Sequence, residues 1–341
     1  MNEQPTHRRV FVWTHPRSAS HLFYQLLKEH PIFQNIGSMS GFYAYTLGTD
    51  MQSSFSREQW QRFLGTDNET AAKISYQGCV DDLQKKVAEA ESEGKWPLAM
   101  EHPCTLMPSS LVNSHLSVPG RETKPTTVVV DRMLDVGDQT ESPLPADLGM
   151  YHNPTLLPDR FFFSFTPIIT IRHPARTIPS WLRSFHSLGG TLLDTEFPVF
   201  ADSFRWERLV FDSFMTFEKS RAAEEGREVN TPIVVDGEKL VKDPHGQMKK
   251  VCGRLGIDEE GIKYSWERPQ YGKGLEAGET IMGAINRSTG VVADARYNKP
   301  LDVKDEVEKW AEEWDENVAS ILEGKVAAAM EDYEYLLQFS L

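Results

Sequence analysis

Residues Arg9-Val-Phe-Val-Trp13 and the segment after them, Thr14-His-Pro-Arg-Ser-Ala-Ser-His21, carry most of the information about the fold. The first five residues are mostly apolar and rich in strand-forming types, which predicts a β-strand. After His21, apolar residues recur at helical spacing and predict a helix that ends near His30-Pro31. A strand, a tight loop and a helix in this order place backbone N–H groups at a helix N-terminus, where the helix dipole favours an anion.

The rest of the chain alternates between short apolar runs and amphipathic segments. The apolar runs, which predict further strands, lie at 96–100, 167–171 and 232–235. The amphipathic segments, which predict helices, lie at 69–93, 198–224, 243–256, 303–323 and 325–338. This alternation predicts an α/β protein, a single domain over residues 1–341 with a central, mostly parallel sheet covered on both faces.

Two insertions in this pattern differ in composition. Residues 34–65 are rich in Gly, Ser, Met and aromatic residues, and we expect them either to line a pocket for a substrate that accepts a transferred group (an acceptor pocket) or to pack in the core. Residues 117–158 hold prolines and acids around a short apolar run at 126–130, and we expect them to form a long excursion or lid.

The distribution of charge indicates what the protein binds. The net charge of −14 argues against a nucleic-acid-binding protein and against a membrane-surface protein, since both need a basic surface. The windows 4–28 and 160–193 nevertheless contain no Asp or Glu, and they hold arginines and histidines. Two cationic windows on an acidic protein predict a site for a compact polyanion such as a nucleotide phosphate, although apolar strands alone explain part of the pattern.

Other features of the composition limit the location and the chemistry. No apolar run approaches the roughly 18 residues that a spanning helix needs, and residues 1–5 lack the apolar core of a secretory signal. The three cysteines are scattered, as is typical of a reducing compartment. We therefore expect a cytoplasmic protein. The sequence has no Walker A motif and no metal-binding motif such as H-E-x-x-H, and we expect no metal.

Three polar motifs lie at the ends of predicted strands. They are Pro16-Arg17-Ser18-Ala19-Ser20-His21, Glu101-His102, and Arg172-His-Pro174 with Ser180 eight residues after the arginine. Because the carboxyl ends of parallel strands meet at one edge of the sheet, we expect these motifs to share one crevice.

In these motifs the sequence resembles the sulfotransferases that use 3′-phosphoadenosine-5′-phosphosulfate (PAPS). More narrowly, it is similar to the fungal sulfotransferase-like proteins, which also share the Asn153-Pro-Thr-Leu-Leu-Pro158 segment. The resemblance extends over most of the chain and implies a three-layer, P-loop-like α/β sandwich. The sequence departs from the family where Ala19 and Ser20 replace Gly-Thr, and where His21 replaces a second threonine.

The resemblance also implies roles for the motif residues. Arg17 would contact the bridging and leaving-group oxygens of PAPS, with Ser18, Ala19, Ser20 and His21 around the 5′-phosphate. Arg172 and Ser180 would hold the 3′-phosphate, together with a C-terminal segment for which Arg287-Ser288-Thr289-Gly290 is the candidate. His102 would be the general base, with Glu101 as the fallback base or as a residue that orients His102. The alternative for each is structural, as a helix cap or as a packed polar residue.

We therefore expect a PAPS-dependent sulfotransferase that acts on a hydroxyl group of a small organic acceptor without a metal. One alternative is a protein of the same fold that binds PAPS or 3′,5′-ADP but has lost catalysis through the altered loop. A second alternative, an ATP-dependent P-loop kinase, is disfavoured because the Walker lysine is missing. The sequence leaves the identity of the acceptor and the oligomeric state open.

Overall fold

The computed structural model describes residues 8–38, 40–116, 121–125, 127–132, 152–187, 189–192, 194, 196–268, 281–291 and 300–341. Much of the predicted lid at 117–158 lies outside these residues. None of the helices within the described ranges is long and apolar enough to cross a membrane.

A five-stranded sheet forms the centre of the molecule. Its strands are β1 (Arg9–Thr14), β2 (Phe33–Ser38), β3 (Trp96–Glu101), β4 (Phe165–Ile171) and β5 (Ile233–Asp236). The strand order is β2-β3-β1-β4-β5, and every neighbouring pair is parallel. The predicted α/β fold with a parallel central sheet is confirmed, and the carboxyl ends of all five strands lie at one edge.

Helices connect the strands and cover both faces of the sheet. In chain order they are α1 (Ser20–Lys28), α2 (Ser40–Leu47), α3 (Arg57–Leu64), α4 (Asn68–Ala71), α5 (Tyr76–Ser92), α6 (Pro103–Leu106), α7 (Ser109–His115), α8 (Asp159–Phe163), α9 (Pro174–Ser187), α10 (Phe197–Ala201), α11 (Arg205–Glu225), α12 (Gly237–Lys242), α13 (Pro244–Leu255), α14 (Gly283–Arg287), α15 (Val303–Glu313) and α16 (Glu316–Leu337). Helices α1, α12 and α13 pack on one face around Val10 and Val12 of β1. Most of the others pack on the opposite face, around Phe11 and Trp13. The result is the expected three-layer sandwich.

Strand β2 was not predicted, because its sequence hides the strand pattern. Phe33-Gln-Asn-Ile-Gly-Ser38 has only two apolar side chains, and its pairing with β3 shifts register between Asn35 and Gly37. Gly37 has a φ of +148°, a conformation that side chains disfavour. The irregular edge strand therefore lacks the alternation by which strands are recognised in a sequence.

Within the 34–65 segment, the aromatic side chains pack in the core. Phe42, Tyr45, Trp60 and Phe63 are all buried in the larger hydrophobic cluster, and this burial accounts for the aromatic composition of the segment. Tyr43 differs, with the residue 42% exposed, and Phe55 is half-buried against the same cluster. An acceptor pocket formed by this segment stays a prediction.

Several predicted helix boundaries were wrong. The 198–224 helix is in fact two helices, α10 and α11, and the 69–93 helix begins only at Tyr76. The two C-terminal helices divide at Trp314-Asp315 rather than near 324. The Asp315 side chain accepts a hydrogen bond from the Val318 N–H at 2.8 Å, so it caps α16. The Ser75 side chain caps the start of α5 in the same way, by accepting from the Gly78 N–H, and a periodicity pattern does not locate such caps.

Candidate functional site

The loop between β1 and α1 adopts a strained backbone conformation. Arg17 and Ala19 have φ values of 66° and 65°, so two residues that are not glycine lie in the left-handed region. Such conformations cost energy and persist where the surrounding structure fixes them, often at ligand sites. In general, loops with residues in this conformation can turn backbone N–H groups towards one side, as in known anion-binding loops, and here the loop leads directly into the N-terminus of α1.

Ser18 holds the loop in place from inside. Its hydroxyl donates to the carbonyl oxygen of His15 at 2.6 Å and lies 2.8 Å from the Thr170 hydroxyl at the end of β4. Ser18 is 1% exposed and does not line the cavity described below. The expectation that this hydroxyl contacts a phosphate is therefore corrected, because the hydroxyl already ties the loop to β4.

A glycine on α12 packs against the same loop. A Cβ atom at Gly237 would lie 2.2 Å from the carbonyl oxygen of Ser18 and 3.0 Å from its carbonyl carbon. Any side chain at this position would have to displace loop backbone. Gly237 was not predicted as a site residue, because a single glycine after a strand gives no sign of what it approaches.

A cavity of about 310 Å³ opens at the carboxyl edge of the sheet, between this loop, α9 and the 281–291 segment. Nine of the predicted site residues line it: Arg17, Ala19, Ser20, His21, His102, Arg172, Ser180, Ser288 and Gly290. Among the described residues that line this cavity, none is acidic. All three motifs thus meet at one site, as their positions at strand ends predicted.

Arg17 connects the first motif to the third. Its Nε donates to the Ser180 hydroxyl at 2.9 Å, and one terminal nitrogen donates to the carbonyl oxygen of Ile281 at 3.0 Å. A terminal nitrogen of Arg172 donates to the carbonyl oxygen of Arg17 at 3.3 Å. Burial, with the charges of Arg172 and Arg183, lowers the pKa of Arg17. The two guanidinium groups therefore concentrate positive charge at one end of the cavity.

The imidazole of His102 is held in one orientation by Thr14. Its Nδ1 lies 2.7 Å from the carbonyl oxygen of Thr14 and 2.8 Å from the Thr14 hydroxyl. That hydroxyl is placed to donate to the carbonyl oxygen of Glu101, at 3.3 Å. Since a carbonyl can only accept, we assign the proton to Nδ1, which leaves the lone pair of Nε2 free. Burial lowers the pKa of His102 to about 3, with smaller contributions from His21, His15 and Arg17. His102 is therefore neutral at physiological pH.

Glu101 points away from the cavity. Its carboxylate accepts hydrogen bonds from the N–H groups of His102, at 2.9 Å, and Phe42, at 3.1 Å, and is 2% exposed. Burial raises its pKa to about 7. The structure thus does not place Glu101 as a fallback base, because its oxygens face α2 rather than the cavity. Its contact with the His102 backbone fits the alternative role of orienting His102.

His21 brings a second imidazole to the cavity. Burial and the nearby charge of Arg17 lower its pKa to about 4, so this ring is neutral as well. A neutral imidazole can donate one hydrogen bond and accept another, which a threonine hydroxyl at the same place can also do.

Half of the C-terminal candidate motif reaches the cavity. Ser288 and Gly290 line it, whereas Arg287 and Thr289 are exposed and do not. Thr289 instead accepts a hydrogen bond from the N–H of Trp266 through its carbonyl, at 2.9 Å. Pro16 of the first motif also lines the cavity, together with apolar residues that carry no motif and that sequence reasoning missed: Leu22, Trp181, Ile281, Ala284, Ile285 and Val291.

The described residues contain no cluster of three or more His, Cys, Asp or Glu side chains that could hold a metal ion. A metal-free reaction stays a prediction.

Comparison with known proteins gives matches over most of the chain. A model of the sulfotransferase family matches residues 9–261. Two relatives named sulfotransferase ppzF are each 25% identical to the chain over 338 residues. The one from Metarhizium majus (strain ARSEF 297) aligns over 96% of this chain and 95% of its own. The one from Metarhizium rileyi (strain RCEF 4871) aligns over 96% and 94%.

Two solved structures also match. The sulfotransferase domain from the Synechococcus PCC 7002 olefin synthase has a TM-score of 0.39 at 15% identity, over 92% of this chain and 96% of its own. The sulfotransferase domain from the curacin biosynthetic pathway has a TM-score of 0.41 at 14% identity, over 91% and 98%.

Proposed function

Since this chain belongs to the sulfotransferase family, we propose that it transfers a sulfuryl group from PAPS to a hydroxyl group of a small organic acceptor, in the cytoplasm and without a metal. The observation that carries this proposal is the cavity itself. It brings Arg17, Arg172 and Ser180 together with the neutral His102. Cationic donors for phosphates and a free imidazole nitrogen are the two chemical requirements of such a transfer.

The residues present fit a doubly phosphorylated nucleotide. The left-handed loop and the N-terminus of α1 supply N–H donors for one phosphate, with the Ser20 hydroxyl beside them. Arg172 and Ser180, which contact Arg17 at the edge of the loop, supply charged and neutral donors for a second phosphate. PAPS, when bound, supplies an activated sulfuryl group on a phosphate leaving group.

In this site Arg17 would stabilise the negative charge that develops on the leaving phosphate. Its guanidinium is already fixed by Ser180 and Ile281, so little reorganisation is needed. His102 would take the proton of the acceptor hydroxyl at Nε2 while the acceptor oxygen forms its bond to sulfur and the sulfur–phosphate oxygen bond breaks. The Thr14 carbonyl then stabilises the resulting imidazolium through Nδ1–H.

One alternative is a protein that binds the nucleotide without turnover, suggested by the altered loop residues Ala19, Ser20 and His21. The backbone conformation of the loop favours an active enzyme over this alternative, because Ala19 adopts the left-handed conformation although it is not glycine. Loss of the glycine has therefore not removed the loop geometry.

Calorimetry with four ligands tests this proposal. In EDTA, we expect 3′,5′-ADP to bind, and 5′-AMP, which lacks the 3′-phosphate, to bind at least about tenfold more weakly because it loses the charged hydrogen bonds of Arg172. PAPS should bind in the same site and compete with 3′,5′-ADP. Binding of ATP with Mg²⁺ but not of 3′,5′-ADP would contradict the proposal and favour a kinase.

A further inference from the structure

A buried polar pair lies directly behind the loop. His15 precedes the loop's Pro16 and Glu207 lies in the first turn of α11, and each is 1% exposed. Nδ1 of His15 lies 3.4 Å from Oε2 of Glu207. Within the described part of the chain, neither ring nitrogen of His15 nor this carboxylate oxygen has a hydrogen-bond partner. Glu207 Oε2 is therefore the polar contact that the structure gives the His15 ring, and removing Glu207 would leave both ring nitrogens buried without one.

The backbone of His15 forms the base of the loop. Its N–H donates to the carbonyl oxygen of Thr170 at 3.2 Å, and its own carbonyl accepts both the N–H of Ser18, at 3.2 Å, and the Ser18 hydroxyl, at 2.6 Å. A displacement of His15 would therefore move Ser18 and, one residue to either side, the strained Arg17 and Ala19.

The ring of His15 is held from outside the loop. It stacks on Phe204 with the ring centres 3.9 Å apart and an angle of 25° between the planes. Phe204 directly precedes α11, and Glu207 lies in its first turn, so both contacts of the ring come from one helix end.

The same helix end is bound to the C-terminal helix. Arg205 and Arg208 form ion pairs of 2.9 Å and 2.8 Å with Asp332 on α16, and Tyr333 lies 5.5 Å from Phe204 between ring centres. Helix α16 lies beyond residue 261, where the family match ends. The contacts thus run from α16 through α11 and Glu207 to the loop.

From this arrangement we propose that Glu207 is a positioning residue: its contact with His15 holds the nucleotide-binding loop from behind and couples it to α11 and α16. The proposal rests on the proposed function, since it assigns the loop to nucleotide binding. Glu207 does not line the cavity, so it acts through His15 rather than on the ligand.

A double-mutant cycle on nucleotide affinity tests the pair. Glu207→Leu removes the carboxylate and leaves His15 without its partner, and we expect the Kd for 3′,5′-ADP to rise about tenfold. His15→Phe keeps the stack on Phe204, and the double variant removes both polar groups at once. We expect the double variant to bind within about threefold of wild type, because no unpaired group then distorts the loop. Additive losses, or unchanged affinity in Glu207→Leu, would overturn the proposal.

Two further variants separate positioning from general stability. Glu207→Gln keeps a polar side chain of the same size and should retain most of the affinity. Ser213→Ala, on the same helix, removes a buried hydroxyl that bonds to the His152 carbonyl, and should lower the melting temperature without changing Kd. If Ser213→Ala raises Kd as much as Glu207→Leu does, α11 acts only through stability and the proposal is wrong.

Hydrogen exchange distinguishes failure here from failure of the proposed function. Amides of residues 15–22 should exchange faster in Glu207→Leu than in wild type, with no ligand present. If wild type does not bind 3′,5′-ADP, the proposed function fails and this exchange result still tests the pair. Unchanged exchange in these amides would contradict the positioning role.

Discussion

Replacing Gly237 by alanine should displace the nucleotide-binding loop, although Gly237 itself does not line the cavity. The added Cβ would lie 2.2 Å from the carbonyl oxygen of Ser18, while ordinary contacts begin at 3.4 Å. Backbone must therefore shift by roughly 1 Å, and overpacking of this kind costs about 1–3 kcal/mol. Because Arg17 and Ala19 flank Ser18 and are already strained, the shift falls on the residues that we assign to the phosphates. A misplacement of about 1 Å can lower the rate by around a hundredfold.

Calorimetry with 3′,5′-ADP and thermal unfolding measure the two effects. We expect Gly237→Ala to bind at least about tenfold more weakly and to unfold at a lower temperature. Gly253→Ala is the matched control: it lies within α13, nothing approaches its would-be Cβ within 4 Å, and it should stabilise the protein by about 0.5–1 kcal/mol at unchanged affinity. If Gly237→Ala binds and unfolds like wild type, the loop is not held by α12 and the reasoning is refuted.

Three further predictions follow from the site. By calorimetry, we expect Arg17→Ala and Arg172→Ala each to weaken 3′,5′-ADP binding by about 1.5–3 kcal/mol, and the control Arg183→Ala, at an exposed position, to leave it unchanged. Wild-type affinity in both Arg17→Ala and Arg172→Ala would contradict the proposed anion site. Because burial lowers the pKa of His102 to about 3, the base stays unprotonated and kcat/KM should show no acid limb from this residue between pH 5 and 8; a limb near 6.5 that disappears in His102→Asn would contradict this. Burial raises the folded-state pKa of Glu101 from 4.5 to about 7, so the folded protein binds the extra proton and loses stability as the pH rises through this range. Relative to Glu101→Gln, wild type should lose up to about 3 kcal/mol between pH 4 and 8 in urea unfolding, and a constant difference would refute the assignment.

The sequence predicted the fold class and the meeting of the three motifs because both follow from local rules. A strand that ends in a polar loop before a helix places the loop at the carboxyl edge, and parallel strands bring all such edges together. This is why Arg17, Ser180 and His102 could be assigned to one site before their distances were known.

The prediction about Ser18 failed and Gly237 was missed because of contacts with residues far away in the sequence, whereas the prediction about Glu101 failed for a local reason. The Ser18 hydroxyl is used by His15 and Thr170, and nothing in the loop sequence indicates that competition. Glu101 and His102 are neighbours on an extended strand end, so their side chains leave on opposite sides, and only one of the two can face the cavity. The closeness of Gly237 to the loop likewise exists only in the folded chain.

Transfer of label from sulfur-labelled PAPS tests the central claim most directly. A panel of phenols and aliphatic alcohols is incubated with wild type and with His102→Asn, in EDTA, and labelled product is counted. The account predicts a labelled sulfate ester with wild type, and turnover at least about a hundredfold lower in His102→Asn at nearly unchanged 3′,5′-ADP affinity and melting temperature. Transfer that is undiminished in His102→Asn would contradict the assignment of the base, and 3′,5′-ADP binding with no transfer to any acceptor would contradict sulfuryl transfer itself.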